Sequence, residues 1–197
     1  MTTTTKGNGM KKELKEAKRL EAIRKARPFR LAVISWTLIE QWYYGLVGKM
    51  SPDGFKYPEF NYSDDPMESM QVFNYIKRME EACKETLIAY GRTPGQPIKS
   101  VEEKQCNWVV KYMNDNINTM YPNMSYRDKL VVLSNTLALG FWDWWCVTKE
   151  PNPAWQKLNQ ALYDFSWFLV PDENHYLANF IHEHYMKCSK AMSYDFS

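Results

Sequence analysis

The sequence predicts an all-α protein, a bundle of about six helices preceded by a basic N-terminal helical arm. Apolar residues recur at the helical spacing of three to four over most of the chain, and helix N-caps precede several of these runs. No segment combines the alternation and the hairpin turns that are typical of strands. With 197 residues, 45% of them apolar, the chain is long enough for one well-buried core. We therefore predict two parts, a basic tail and arm helix over residues 1–28 and an aromatic-rich helical bundle over residues 29–197.

Positive charge is concentrated at the N-terminus. Residues 1–30 carry ten Lys or Arg and three Glu, a net charge of +7, whereas the remaining residues carry a net charge of −5. Such an arm favours an anionic partner: phosphate, anionic lipid or an acidic protein surface. The alternative is a solvated helix that is stabilised by its own ion pairs. The candidate binding residues are Lys11, Lys12, Lys15, Lys18, Arg19, Arg24, Lys25, Arg27 and Arg30.

Two helices separated by Pro28 are predicted at the start of the chain. Residues 1–9 are a Thr/Gly tail with nothing to bury, and residues 10–27 are rich in strong helix formers. Pro28 is expected to end or kink this first helix. The next helix, residues 29–48, contains the run LAVISWTLIEQWYYGLVG with a single charge, Glu40. Because lipid disfavours a central Glu with Trp and Tyr beside it, we interpret this run as a buried helix; a membrane span and an oligomer interface are the alternatives.

The later helices are predicted from capping residues and apolar stripes. Each begins at a residue whose side chain can accept a hydrogen bond from the first turn. The first of the five carries a stripe through Val72, Ile76, Met79, Cys83, Leu87 and Tyr90. The predicted N-caps are Asp65, Ser100, Ser125, Asn152 and Asp172.

The cysteine pattern indicates a reducing environment. Cys83, Cys106, Cys146 and Cys188 are widely spaced, no CxxC occurs, and the polar N-terminus does not resemble a secretory signal. We therefore predict four reduced thiols and a location in the cytoplasm or within a viral particle.

The run GFWDWWC, residues 140–146, is the most unusual in the chain. A helix spreads its side chains around the axis, so they cannot all be buried in one small core. The favoured interpretation is a crowded core in which Asp143 bonds an indole or a basic residue. The alternative is an aromatic contact surface, able to stack on bases or sugars, formed by Trp142, Trp144 and Trp145.

Signals for catalysis or metal binding are weak. His184 and Cys188 share a helix face, but a structural zinc site needs four ligands, so we interpret them as a core histidine beside a core thiol. Glu40, Asp143 and Asp164 interrupt apolar helices, and nothing in the sequence brings them together. No Glu-x-x-His pair and no phosphate-binding loop occurs. We predict no metal and no cofactor.

These observations favour a non-enzymatic structural or interaction subunit of a larger assembly, such as a viral particle or connector component. Its basic arm would dock on protein partners or on further copies of the chain. The alternative is a nucleic-acid-associated accessory protein that binds phosphates non-specifically, with a steep salt dependence. A helical-bundle enzyme with a site near Asp143 is a further alternative. A membrane is the least favoured partner.

Overall fold

The computed structural model is all-helical and shows no strand over the residues it describes: 5–52, 54–57, 59–91, 101–170 and 177–193. Within these ranges the side chains of residues 5, 6, 19–26 and 101–103 are not described. The α-helices are α1 (Thr5–Val47), α2 (Pro66–Ala89), α3 (Val101–Met120), α4 (Tyr126–Thr148), α5 (Pro153–Leu169) and α6 (Ala178–Ser193).

Three of the predicted N-caps are confirmed. Oδ1 of Asp65 accepts a hydrogen bond from the backbone N–H of Met67 at 3.0 Å. Oγ of Ser125 and Oδ1 of Asn152 accept comparable bonds from the first turns of α4 and α5 at 3.2 and 3.0 Å. Each bond satisfies a backbone donor that a helix start otherwise leaves unpaired. The predicted caps Ser100 and Asp172 lie outside the described residues.

The N-terminal region differs from the prediction, because one helix replaces the expected two. Helix α1 runs without interruption from Thr5 to Val47, with Pro28 inside it. A proline inside a helix removes one backbone hydrogen bond and crowds the preceding turn, at a cost of about 3 kcal/mol. Pro28 is buried, and the residues after it pack against every other helix. This packing offsets the local penalty, so α1 continues across the predicted boundary at residue 28.

The second half of α1 is the central helix of the bundle. No residue between 27 and 47 is exposed, and Leu31, Ile34 and Leu38 are among its fully covered apolar side chains. A helix that is apolar on all sides is a buried helix. The buried interpretation of the run that begins at Leu31 is thereby confirmed.

The other helices pack around α1, with α2 antiparallel to α5. Ion pairs join Arg78 to Asp164 at 2.9 Å and Lys157 to Glu85 at 3.0 Å across this pair. Because these ion pairs are largely solvated, each contributes at most about 1 kcal/mol. Burial of aromatic side chains contributes more to stability. Phe141 of α4 and Trp155 of α5 are fully buried, and their rings stack with centroids 5.0 Å apart.

Two glycines weaken the first turns of α1 and give a test of its helical state. A Cβ added at Gly7 or Gly9 would meet no atom within 4 Å. Alanine is favoured over glycine in a helix interior by about 1 kcal/mol. We therefore expect the Gly7→Ala/Gly9→Ala variant to slow amide hydrogen exchange over residues 7–18 and to increase the helical circular dichroism. Unchanged exchange over these residues would contradict a helix that begins at Thr5.

Candidate functional site

The first half of α1 contains an exposed segment, defined as residues 7–18. All of its residues are exposed. Arg27 lies level with the C-terminal ends of α4 and α6, because it shares a cavity with Val147 and Ser193. Since a helix rises about 1.5 Å per residue, the segment lies roughly 13 to 30 Å beyond Arg27 along the helix axis.

Four lysines of this segment lie on one side of the helix and have no partner in the described part of the chain. Lys11, Lys15 and Lys18 are spaced by four and three residues, which places them on one helix face, and Lys12 borders that face. None of the four ammonium groups forms a hydrogen bond or an ion pair with a described residue. A helix stabilised by its own ion pairs is therefore not supported at these lysines.

The segment also exposes an apolar pair. Met10 and Leu14 are four residues apart, which places them on one side of the helix, and Leu14 borders the lysine face because Lys11 and Lys18 are three and four residues from it. Their exposed fractions are 71% and 58%. The segment therefore offers a partner both positive charge and apolar surface.

The remaining predicted basic residues do not all belong to this surface. Arg27 and Arg30, which were also predicted to bind a partner, are half-buried in the bundle and do not belong to the exposed segment. The guanidinium carbon of Arg27 lies 4.9 Å from the ring centroid of Trp144. The backbone carbonyl of Arg30 accepts a weak hydrogen bond from the Cys106 thiol. Arg19, Arg24 and Lys25 were also predicted to bind a partner, but their side chains lie outside the described part of the structure.

The tryptophan run is divided between core and surface. Trp144 is buried, Trp145 is half-buried under the Lys149 ammonium at 5.2 Å, and Trp142 is 51% exposed. The three therefore do not form one contact surface, because α4 turns them to different sides. Asp143 is exposed and forms no hydrogen bond or ion pair with any described residue, contrary to the expected bond to an indole or a basic group.

His184 and Cys188 lie in the core, as predicted. Nε2 of His184 lies 3.0 Å from the backbone carbonyl of Met113, which can only accept, so Nε2 carries the proton. Nδ1 then accepts a hydrogen bond from the hydroxyl of Thr136 at 2.8 Å. The Cys188 sulfur lies 3.5 Å from Nε2.

Burial keeps both groups neutral. It lowers the pKa of His184, although the hydrogen bond to Met113 partly opposes this shift. Burial also raises the pKa of the Cys188 thiol to about 12. Because the thiolate is the reactive form, this pair is suited to holding α6 against α3 and α4 and not to nucleophilic catalysis.

Asp143 and Asp164, two of the three carboxylates that suggested an enzyme, are not brought together with His184. Asp164 bonds Arg78 and Gln160 on the outer face of α2 and α5, while Asp143 is exposed on α4 and His184 is fully buried. The described part of the chain contains no group of three or more His, Cys, Asp or Glu side chains that could hold a metal ion.

A cavity between α1, α4 and α6 was missed by the sequence analysis. It has a volume of about 290 Å³ and includes Arg27, Asp143, Cys146, Tyr185 and Ser189 in its lining. These residues come from three helices that are far apart in sequence, so their spacing carries no signal of proximity. Asp143, singled out from the sequence, was the one available indication.

Judged by length and composition, α4 is the one described helix that is long and apolar enough to cross a membrane. The run that begins at Leu31 is not. Half of the apolar window of α4 is buried against the rest of the protein, as in the core helix of a globular bundle. Length and apolarity alone are weak support for a span.

Comparison of the chain with protein-family models, with curated proteins and with solved structures finds no match.

Proposed function

We propose that this chain is a non-enzymatic structural or interaction subunit of a larger assembly and that it docks through the exposed segment of α1. A viral particle or a connector is one assembly of this kind. The observation that carries the proposal is the set of four lysines that share one side of an exposed helix and have no partner among the described residues.

The spacing of these lysines costs the isolated helix stability. Lys11 and Lys15 are four residues apart, and Lys15 and Lys18 are three apart. Like charges at these spacings destabilise a helix by a few tenths of a kcal/mol per pair. The first turn of α1 also has no acidic residue to offset the helix dipole. A negative partner surface would relieve this repulsion, which favours a binding role for the segment.

Protein is the favoured partner because of the apolar pair. Met10 and Leu14 leave large apolar side chains in water next to the basic face. Amphipathic helices commonly dock by placing apolar residues spaced by three or four in a groove of the partner. The partner would then be an acidic surface with such a groove, on another protein or on a second copy of the chain, whose residues after 30 carry a net charge of −5.

Nucleic acid is the second candidate, favoured because Glu13 and Glu16 lie off the face that Lys11, Lys15 and Lys18 share. Phosphates need the ammonium groups of Lys11, Lys12, Lys15 and Lys18 and do not need the apolar pair. Binding by charge alone would weaken steeply as salt increases.

Two variants separate these candidates, one removing charge and one removing apolar surface. We expect Lys11→Gln/Lys15→Gln/Lys18→Gln to lose docking on either partner. We expect Met10→Ala/Leu14→Ala to lose docking on protein and to keep binding to nucleic acid. The measurement is light-scattering mass on a sizing column at low and high salt, with the ratio of absorbance at 260 and 280 nm recorded.

A matched control removes the same charge from the bundle. Lys49→Gln/Lys77→Gln/Lys104→Gln changes three exposed lysines outside the segment, so mass and bound nucleic acid should match those of the wild type. The proposal fails if this control loses assembly as much as the segment variant does. It also fails if the wild type is a monomer without nucleic acid at low salt.

A further inference from the structure

We propose that α4 carries the surface on which the exposed segment of a second copy of this chain docks, so that two copies exchange their segments and form a dimer. The inference rests on the proposed docking function and deepens it, because it names the partner and the partner's surface. That surface, the outer stripe of α4, is defined as Leu139, Trp142, Asp143, Cys146 and Val147.

The outer stripe follows one face of α4. Its first four members have the spacing i, i+3, i+4 and i+7, which places them on the same side of the helix, and Val147 borders them. Trp142 and Val147 are 51% and 79% exposed. Asp143 and the thiol of Cys146 are exposed as well, and Leu139 is half-buried. The stripe is therefore an accessible apolar surface with one negative charge.

Helix α4 is more apolar than its burial within the bundle explains. Only half of its apolar window is buried, so apolar side chains continue onto its outer face. Soluble proteins rarely leave continuous apolar surface in water, and such surface commonly marks an interaction site. Tryptophan is the residue type most enriched among the anchors of protein interfaces. Trp142 is therefore the expected anchor of a contact on this face.

Charge complementarity selects the exposed segment of α1 as the occupant. Asp143 makes no hydrogen bond or ion pair in the described part of the chain, so its carboxylate is available to a cationic group. The segment combines four lysines with the exposed side chains of Met10 and Leu14. Apolar residues beside a carboxylate on the stripe thus match apolar residues beside ammonium groups on the segment.

The segment and the stripe do not meet within one copy. Helix α1 is continuous, and residues 7–18 lie roughly 13 to 30 Å beyond Arg27, which is level with the C-terminal end of α4. Met10 and Trp142 are both exposed, so neither covers the other. The occupant of the stripe therefore comes from another molecule.

The dimensions and the symmetry suit a reciprocal exchange. Residues 10–18 of the segment and residues 139–147 of α4 each span about 12 Å, because a helix rises about 1.5 Å per residue. If each copy places its segment on the stripe of the other, one two-fold arrangement covers both segments and both stripes and closes as a dimer. Each contact is then made twice, so a modest single contact is sufficient to hold the pair.

The experiment measures the monomer–dimer equilibrium by analytical ultracentrifugation over a concentration series, and it reverses the charges of the two surfaces. Asp143→Lys would oppose lysine to the lysines of the segment, and Lys11→Glu/Lys15→Glu would oppose carboxylates to Asp143. Each variant alone should dimerise at least about tenfold more weakly than the wild type. An equimolar mixture of the two variants should recover the dimer, because each stripe then faces a segment of opposite charge. A variant that merely misfolds would not recover on mixing.

The apolar part of the contact is tested by Trp142→Ala. This variant should also weaken the dimer at least about tenfold, since a central tryptophan anchor is lost. Two control variants should dimerise like the wild type. Trp167→Ala removes another exposed tryptophan, on α5, and Glu81→Lys reverses an exposed carboxylate on α2.

The outcomes separate this inference from the docking function. If the wild type assembles and the segment variant dissociates, but Asp143→Lys and Trp142→Ala assemble normally, the docking function stands and this inference is overturned. A mixture that fails to recover the dimer overturns it as well. It is also overturned if the wild type stays monomeric, including a monomer that binds phosphatidylcholine–phosphatidylserine vesicles through Trp142.

Discussion

Replacing Trp155 with alanine is expected to lower the free energy of unfolding by about 3–5 kcal/mol. Trp155 is fully buried on α5 and stacks on Phe141 of α4, so the substitution would remove the largest fully buried side chain among the described residues. The cavity left behind would cost further contacts, because neighbouring helices relax only partly around it. Urea unfolding followed by circular dichroism at 222 nm measures this loss.

The matched control lies on the exposed face of the same helix. Trp167 is 65% exposed, so Trp167→Ala should change stability by no more than about 0.5 kcal/mol. Trp155→Phe should cost less than Trp155→Ala, since it keeps a stacking ring and removes a buried indole N–H that has no partner in the described chain. Equal losses for Trp155→Ala and Trp167→Ala would contradict the packing described for α5.

Local patterns in the sequence were sufficient for most of the helices. The start of α2 could be predicted from the N-cap Asp65, and its buried stripe could be predicted from residues such as Val72 and Ile76. Both signals are local, because capping and helical periodicity involve residues within a few positions of each other. The same holds for α4 and α5, whose caps Ser125 and Asn152 were predicted from the neighbouring residues alone.

Features that depend on distant contacts were beyond the sequence. The local rule for Pro28 predicts an end or a kink, but contacts with all five other helices keep α1 continuous through it. The cavity joins Arg27 of α1, Asp143 of α4 and Ser189 of α6, which no spacing relates. Which of the tryptophans between 142 and 145 is buried likewise depends on how α4 is rotated against its neighbours.

Acidification is expected to destabilise the protein through His184. Burial lowers the pKa of His184 below its ordinary value of 6.5, while an unfolded chain protonates this side chain near that value. The stabilisation is therefore fully present above about pH 6.5 and is lost as the pH falls towards the lowered pKa of the folded state. Between pH 7.5 and 5.5 this group can account for up to about 1.4 kcal/mol.

The geometry explains why the folded protein resists this protonation. The side chain contacts the carbonyl of Met113, the hydroxyl of Thr136 and the thiol of Cys188, none of which is a carboxylate. A proton added at Nδ1 would displace the hydrogen that Thr136 donates and would place a charge in the core without a counter-ion. Contacts between α6 and both α3 and α4 would weaken first, because all three helices meet at this ring.

The His184→Gln variant isolates the effect of this one group. Glutamine is neutral at every pH used, so the variant should be less stable than the wild type at pH 7.5, through lost packing and hydrogen bonds. The stability difference between the two proteins, measured by urea unfolding, should then shrink by up to about 1.4 kcal/mol at pH 5.5. All other ionisable groups are the same in the two proteins, so their effects cancel in that difference. A difference that stays constant with pH would show that His184 titrates alike in the folded and unfolded chain, contrary to its buried position.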